Sequence, residues 1–177
     1  DWSSDVCSSD LKNLLLWDIK RFFPEEYEVG VNALKMVQKR VGMELSTDEA
    51  GFIALHLVNA EMEEEVGNIY ELTKLMQEIT NIVKYYFKVS FDEDSVYFYR
   101  FSTHLKFFCY RLLHQREVVE NDDEELYAVI KKKYLNAYRC VEKISLYLNE
   151  NYDYQVSNEE RLYLTIHIAR IVQTTEQ

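Results

Sequence analysis

Thirteen residues, Asp48–Ala60 (DEAGFIALHLVNA), return as Glu159–Ile171 (EERLYLTIHIARI), 111 positions on, with His56 and His167 in the same place. An internal repeat constrains the architecture more than any local reading does. Held at that offset without a gap, Ser46 falls on Ser157, Leu45 on Val156, Val37 on Leu148 and Ala33 on Ile144. Further back, Tyr27 falls on Tyr138, Lys20 on Lys131, Ile19 on Ile130 and Leu15 on Leu126. One short amphipathic helix matches another by chance; an ungapped register across three helical segments does not. The second copy also carries residues 68–125, whose counterparts would precede position 15, and His104 among them maps to position −7. The chain therefore reads as one complete module (67–177) preceded by the back half of another (12–66).

Each module is of ordinary domain size. One proline, four glycines and long runs of helical periodicity predict an all-α fold, two tandem helical bundles with the first incomplete. No run of 18 apolar residues suggests a membrane span. The net charge of −11 argues against direct nucleic-acid binding, because phosphate contact needs a basic surface. Three cysteines (Cys7, Cys109, Cys140) without a CxxC pair fit a reducing cytoplasm, with Cys109 and Cys140 as buried thiols.

Residues 1–11 (DWSSDVCSSDL) resemble the translation of a sequencing-library adapter and are set aside as an assembly artefact. After them a short helix over 14–23 stops at Pro24, which suits the first turn of the next helix. That helix reaches about Val41, with Gly42 at its end. Ser46-x-x-Glu49, Ser90-x-x-Glu93 and Ser157-x-x-Glu160 are capping-box patterns opening three further helices. Gly67 is read as a linker, 68–88 as a helix, 118–123 as a loop, and 124–133 and 135–150 as two more helices.

His56, His104 and His167 each lie mid-helix beside an apolar stripe. A single histidine so placed is more readily a satisfied core residue than a functional one. The repeat points the other way, since His56 and His167 are equivalent and each has a polar residue three places on, Asn59 or Arg170, next to the imidazole. Arg111 lies two turns beyond His104 on the same face. Arginine disfavours an imidazolium but suits a phosphorylated imidazole. His114, about 80° further around that helix, is read as peripheral. No HExxH, Glu-x-x-His, nucleophile elbow or phosphate-binding glycine loop is present, so neither an enzyme nor a metal or other cofactor is expected. The alternative to a modifiable histidine set is a helical protein-interaction module whose histidines are structural only.

The stretches LLLWDIKRFFPEEYEVG, DEAGFIALHLVN, YFYRFSTHLKFFCYRLL and ERLYLTIHIARIV resemble the tandem phosphotransferase-system regulation domains (PRD) of bacterial transcriptional antiterminators of the BglG/SacY type. The resemblance covers residues 12 to about 175. It implies a cytoplasmic, homodimeric regulator in which His56, His104 and His167 are phosphorylated, with Asn59, Arg111 and Arg170 in support. It implies phospho-HPr and a sugar-specific enzyme II as phosphoryl donors. It also implies that RNA is bound by an N-terminal domain that this stretch does not contain. His104 and His167 are then expected to come close in the fold, on a shared, partly open surface.

Overall fold

The computed structural model describes residues 16–62, 66–114 and 124–175, and among them every regular element is a helix. In chain order these are α1 (16–22), α2 (Pro24–Val41), α3 (Asp48–Met62), α4 (Val66–Phe87), α5 (Val96–Leu113), α6 (Glu124–Lys133), α7 (Leu135–Tyr152) and α8 (Asn158–Thr175). No helix is long and apolar enough to cross a membrane among the described residues. The adapter-like stretch at 1–11 and the loop expected at 118–123 lie outside them.

The chain divides into two compact units, Asp1–Lys74 and Leu75–Gln177, and the division falls inside α4. Gly67, read above as a linker, is part of the first turn of α4. A glycine there forgoes little, because the first four N–H groups of a helix have no intrahelical partner anyway.

The duplication is visible in the backbone itself. α2 and α7 begin and end 111 residues apart. The residue before each, Phe23 (φ −131°, ψ 57°) or Tyr134 (φ −119°, ψ 48°), makes the same bend. At both bends the helical hydrogen bonds run on: Phe23 N–H to Ile19 O and Tyr134 N–H to Ile130 O are each 2.9 Å. The far ends also agree, with Gly42 (φ 72°) and Asp153 (φ 50°) both left-handed. Glycine adopts that conformation freely and aspartate tolerates it, so two residue types end the same helix in the same way.

Helix starts follow the sequence less evenly. At Ser157 the capping box forms as read: Glu160 N–H donates to Ser157 Oγ and Ser157 N–H to Glu160 Oε2, both at 3.2 Å. At α3 the Ser46 hydroxyl accepts the Asp48 amide, two residues on. At α5 the start read from Ser90-x-x-Glu93 gives way to one at Val96, capped by Ser95, whose hydroxyl accepts the Phe98 amide at 3.1 Å. Asp92 fixes Ser95 in place, its carbonyl accepting the Ser95 hydroxyl at 2.7 Å.

In the first unit α2 packs on α3, and in the second α5, α6 and α7 all pack on α8. The core of the second unit holds Phe98, Phe101, Leu105 and Phe108 of α5, Val141, Ile144 and Leu148 of α7, and Leu164 and Ile168 of α8. Each such side chain, fully buried, contributes about 1.5–3 kcal/mol. Cys109 and Cys140 are free thiols within this core, in keeping with their apolar setting. Burial pushes the Cys140 thiol up to about 12.

In the first unit α2 and α3 touch backbone to backbone at Gly30: a Cβ added there would lie 2.2 Å from the Ala50 carbonyl oxygen. The equivalent residue of the second unit is Val141, fully buried, so the close approach is particular to the first. Gly30→Val is expected to lower stability in urea denaturation by about 1–3 kcal/mol or more, since neither backbone can yield without moving a helix. An unchanged midpoint would mean that the two helices do not approach so closely.

Candidate functional site

α5 and α8 lie side by side and antiparallel, and two contacts establish it. His104 meets His167, and Arg111 meets Glu160, with seven residues between the paired positions on each helix and the order reversed. Seven residues are two turns, roughly 10 Å along the axis. His104 stands between the buried Phe101 and Phe108, three before it and four after, so it rides on the edge of the α5 core stripe. His167 sits likewise between buried Leu164 and Ile171. The apolar stripes set the two helices against one another, and the histidines meet at the rim.

The imidazole rings of His104 and His167 are 3.9 Å apart between centroids and tilted by 34°. Tyr163, one turn before His167, closes the group: its ring is 5.0 Å from His104 at 90° and 4.6 Å from His167 at 65°. The Tyr163 hydroxyl is hydrogen-bonded to His104 Nδ1. Both histidines are partly exposed, and Tyr163 is 37% exposed.

Burial holds the His104 imidazole below its ordinary value. Burial lowers His167 as well, with His104 and the Arg170 guanidinium adding to the effect, to about 4. Desolvation disfavours the cationic form, and a neighbouring positive charge disfavours it further. His167 is therefore neutral at neutral pH and His104 is biased the same way. A neutral imidazole keeps a lone pair on one nitrogen, which is what a nucleophile or a metal ligand needs. Among the described residues no three His, Cys, Asp or Glu side chains gather in a way that would hold a metal.

One turn below Tyr163 is Glu160, 3% exposed. The Tyr154 hydroxyl lies 2.9 and 3.0 Å from its two carboxylate oxygens, the Ser157 amide donates to Oε2, and Arg111 Nη2 is 3.8 Å from Oε1. Arg111 Nε is buried with no hydrogen-bond partner among the described residues. Its positive charge acts on both Tyr154 and Tyr163.

His56 is exposed on α3, in the first unit, and Asn59 Oδ1, one turn on, is buried without a hydrogen bond to a described residue. Arg170 is exposed on α8. His114 ends α5, its Nδ1 lying 2.7 Å from the Tyr110 carbonyl oxygen and its ring on that of Tyr110. Sequence reasoning gave Tyr163 no role and read Glu160 only as a cap. The signal for Tyr163 was present, since a residue four before His167 shares its face. The link from Glu160 to Arg111 had none, because it joins helices far apart in sequence.

The family model of the PRD domain matches residues 7–60 and 77–171. The chain is 50% identical over 163 residues to the transcription antiterminator LicT of Bacillus subtilis (strain 168), covering 92% of this chain and 58% of the relative. It is 45% identical over 162 residues to the beta-glucoside operon antiterminator of Dickeya chrysanthemi, covering 92% and 57%. It is 26% identical over 162 residues to the PtsGHI operon antiterminator of Bacillus subtilis (strain 168), again covering 92% and 57%. The chain thus spans somewhat more than half the length of these curated relatives.

The depressed histidines make stability depend on pH in a definite direction. Between the ordinary value of 6.5 and about 4, the unfolded chain binds a proton at His167 that the folded chain declines. The contribution is fully present above pH 6.5 and is lost as pH falls towards 4. Urea unfolding across that window is expected to lose stability more steeply for the wild-type chain than for His167→Gln. Parallel curves would contradict the burial of a neutral imidazole at this position.

Proposed function

The chain belongs to the PRD family, and on that footing we propose that it is the regulatory region of a transcription antiterminator, switched by phosphorylation of His56, His104 and His167. The observation that carries this reading is the pair of stacked imidazoles at a partly open surface, His104 with His167, with burial lowering the basicity of both. Three chemical requirements of a phosphoacceptor meet there: a free lone pair, access, and nearby positive charge from Arg170 and Arg111.

In this reading the donors are the phosphohistidine carrier HPr for the second unit and a sugar-specific enzyme II for the first. In this reading the chain holds two regulatory modules, 12–66 and 67–177, whereas its two compact units meet at Lys74 and Leu75, inside α4. A phosphoryl group brings about 1.5–2 negative charges and three acceptor oxygens to a helix surface. The chain already has a net charge of −11. Added charge at a symmetric contact between two copies shifts the balance between alternative packings, unless Arg111 or Arg170 offsets it. The dimer so biased controls an RNA-binding activity that resides outside these residues, within the cytoplasm. Asn59 takes the place of Arg170 in the first unit, so an anion on His56 would meet a neutral amide where the second unit offers a cation.

Intact-mass measurement after incubation with enzyme I, HPr and phosphoenolpyruvate tests the reading on the wild-type chain, His104→Ala, His167→Ala and the double variant. A phosphoryl group that is gained by the wild type and lost in the double variant is expected. A folded wild-type chain that gains none, with the substitutions altering stability alone, would leave the histidines structural.

A further inference from the structure

We propose that His104 takes its phosphoryl group on Nε2, and that Tyr163 is the positioning residue that fixes this choice; the inference rests on His104 being a phosphoacceptor. An imidazole offers two chemically distinct nitrogens, and which one reacts is set by what holds the other. Here the Tyr163 hydroxyl holds Nδ1. Nε2 makes no hydrogen bond to a described residue. The ring is also held from two sides, by the His167 ring 3.9 Å away and by the Tyr163 ring standing perpendicular to it at 5.0 Å. Turning the imidazole over to present Nδ1 would break the hydrogen bond to Tyr163. A phosphoryl group on Nδ1 without that turn would have to occupy the space of the tyrosine oxygen.

The transfer balances without a proton leaving the site. The Nε2 lone pair attacks the phosphorus of a phosphorylated imidazole on the donor protein. The phosphorus–nitrogen bond of the donor breaks and its electron pair returns to the donor nitrogen. His104 keeps its proton on Nδ1, where the N–H donates to the Tyr163 oxygen. The phosphorylated ring is formally cationic, so this bond becomes charge-assisted as the product forms. Burial pushes the Tyr163 hydroxyl above its usual range, so it stays protonated and keeps its oxygen available as an acceptor.

The arrangement is particular to the second unit. At the repeat offset the residue equivalent to Tyr163 is Phe52, which has no hydroxyl to offer a ring nitrogen. The two units therefore share a backbone and a histidine while differing in the group that selects a nitrogen.

The test uses the chain with its histidine rings labelled with nitrogen-15, as wild type and as Tyr163→Phe. Tyr163 is 37% exposed and phenylalanine keeps its ring, so the variant should fold, and circular dichroism checks this. Two donors are used: HPr charged by enzyme I and phosphoenolpyruvate, and phosphoramidate, a small donor that needs no protein docking. Phosphorus–nitrogen correlation by NMR then identifies the modified atom. The wild type is expected to carry phosphate on His104 Nε2 with both donors. Tyr163→Phe is expected to give a mixture of the two isomers at His104 and to react with HPr roughly three- to tenfold more slowly. Phosphate on Nδ1 of His104 in the wild type, or a variant unchanged in both isomer and rate, overturns the inference. If phosphoramidate modifies Nε2 while HPr leaves His104 untouched, the regiochemistry stands and the HPr reading fails. No phosphate on His104 from either donor overturns both.

Discussion

One buried carboxylate sets the register on which the candidate site depends. Glu160 lies at the start of α8, almost wholly out of water, and a carboxylate there must be satisfied from every side. Its own helix supplies the Ser157 amide, the preceding turn supplies the Tyr154 hydroxyl, and α5 supplies Arg111. The last contact is the consequential one, because it ties α8 to another helix at a single height. Two turns further along both helices, in opposite directions, His104 and His167 arrive face to face. A slip of one turn between α5 and α8 would part the rings and leave the carboxylate without its cation. Removing one partner from such a buried charge costs far more than the pair contributes net.

The duplication repeats one backbone with different side chains. The bend at Phe23 and Tyr134, the span of α2 and α7, and the left-handed ends at Gly42 and Asp153 coincide between the copies. The side chains that matter to chemistry do not. Phe52 stands where Tyr163 does, Asn59 where Arg170 does, and Gly30 where Val141 does. In the first unit the glycine lets two helix backbones touch, and His56 is exposed on the second of them. In the second unit the histidine is stacked, desolvated and flanked by a cation. The same helix position thus presents imidazoles in two different settings.

Much of this was legible in the sequence because it is local or periodic. The 3.6-residue spacing of apolar residues, Pro24 at a helix start, Gly42 at a helix end and the reciprocal pair Ser157 and Glu160 all act over one or two turns. Where local signals compete the sequence is ambiguous: Ser90 and Ser95 both precede a helix, and only the turn built by Asp92 selects Ser95. Gly67 reads as a break, yet α4 runs through it, since one glycine near a helix start is inexpensive. The contacts that make the site, Tyr163 with His104 and Arg111 with Glu160, join residues about fifty or more apart. No periodicity encodes such a pairing. It follows only once the stripes of α5 and α8 have been packed against each other.

His104 and His167 form a single site, ring against ring. Nuclear Overhauser spectroscopy on the chain with labelled histidine rings measures this directly. With centroids 3.9 Å apart, cross-peaks between the ring protons of His104 and His167 are predicted, alongside those from Tyr163 to each ring. Cross-peaks from Tyr163 to His167 without any between the two histidines would place His104 elsewhere and contradict the shared site.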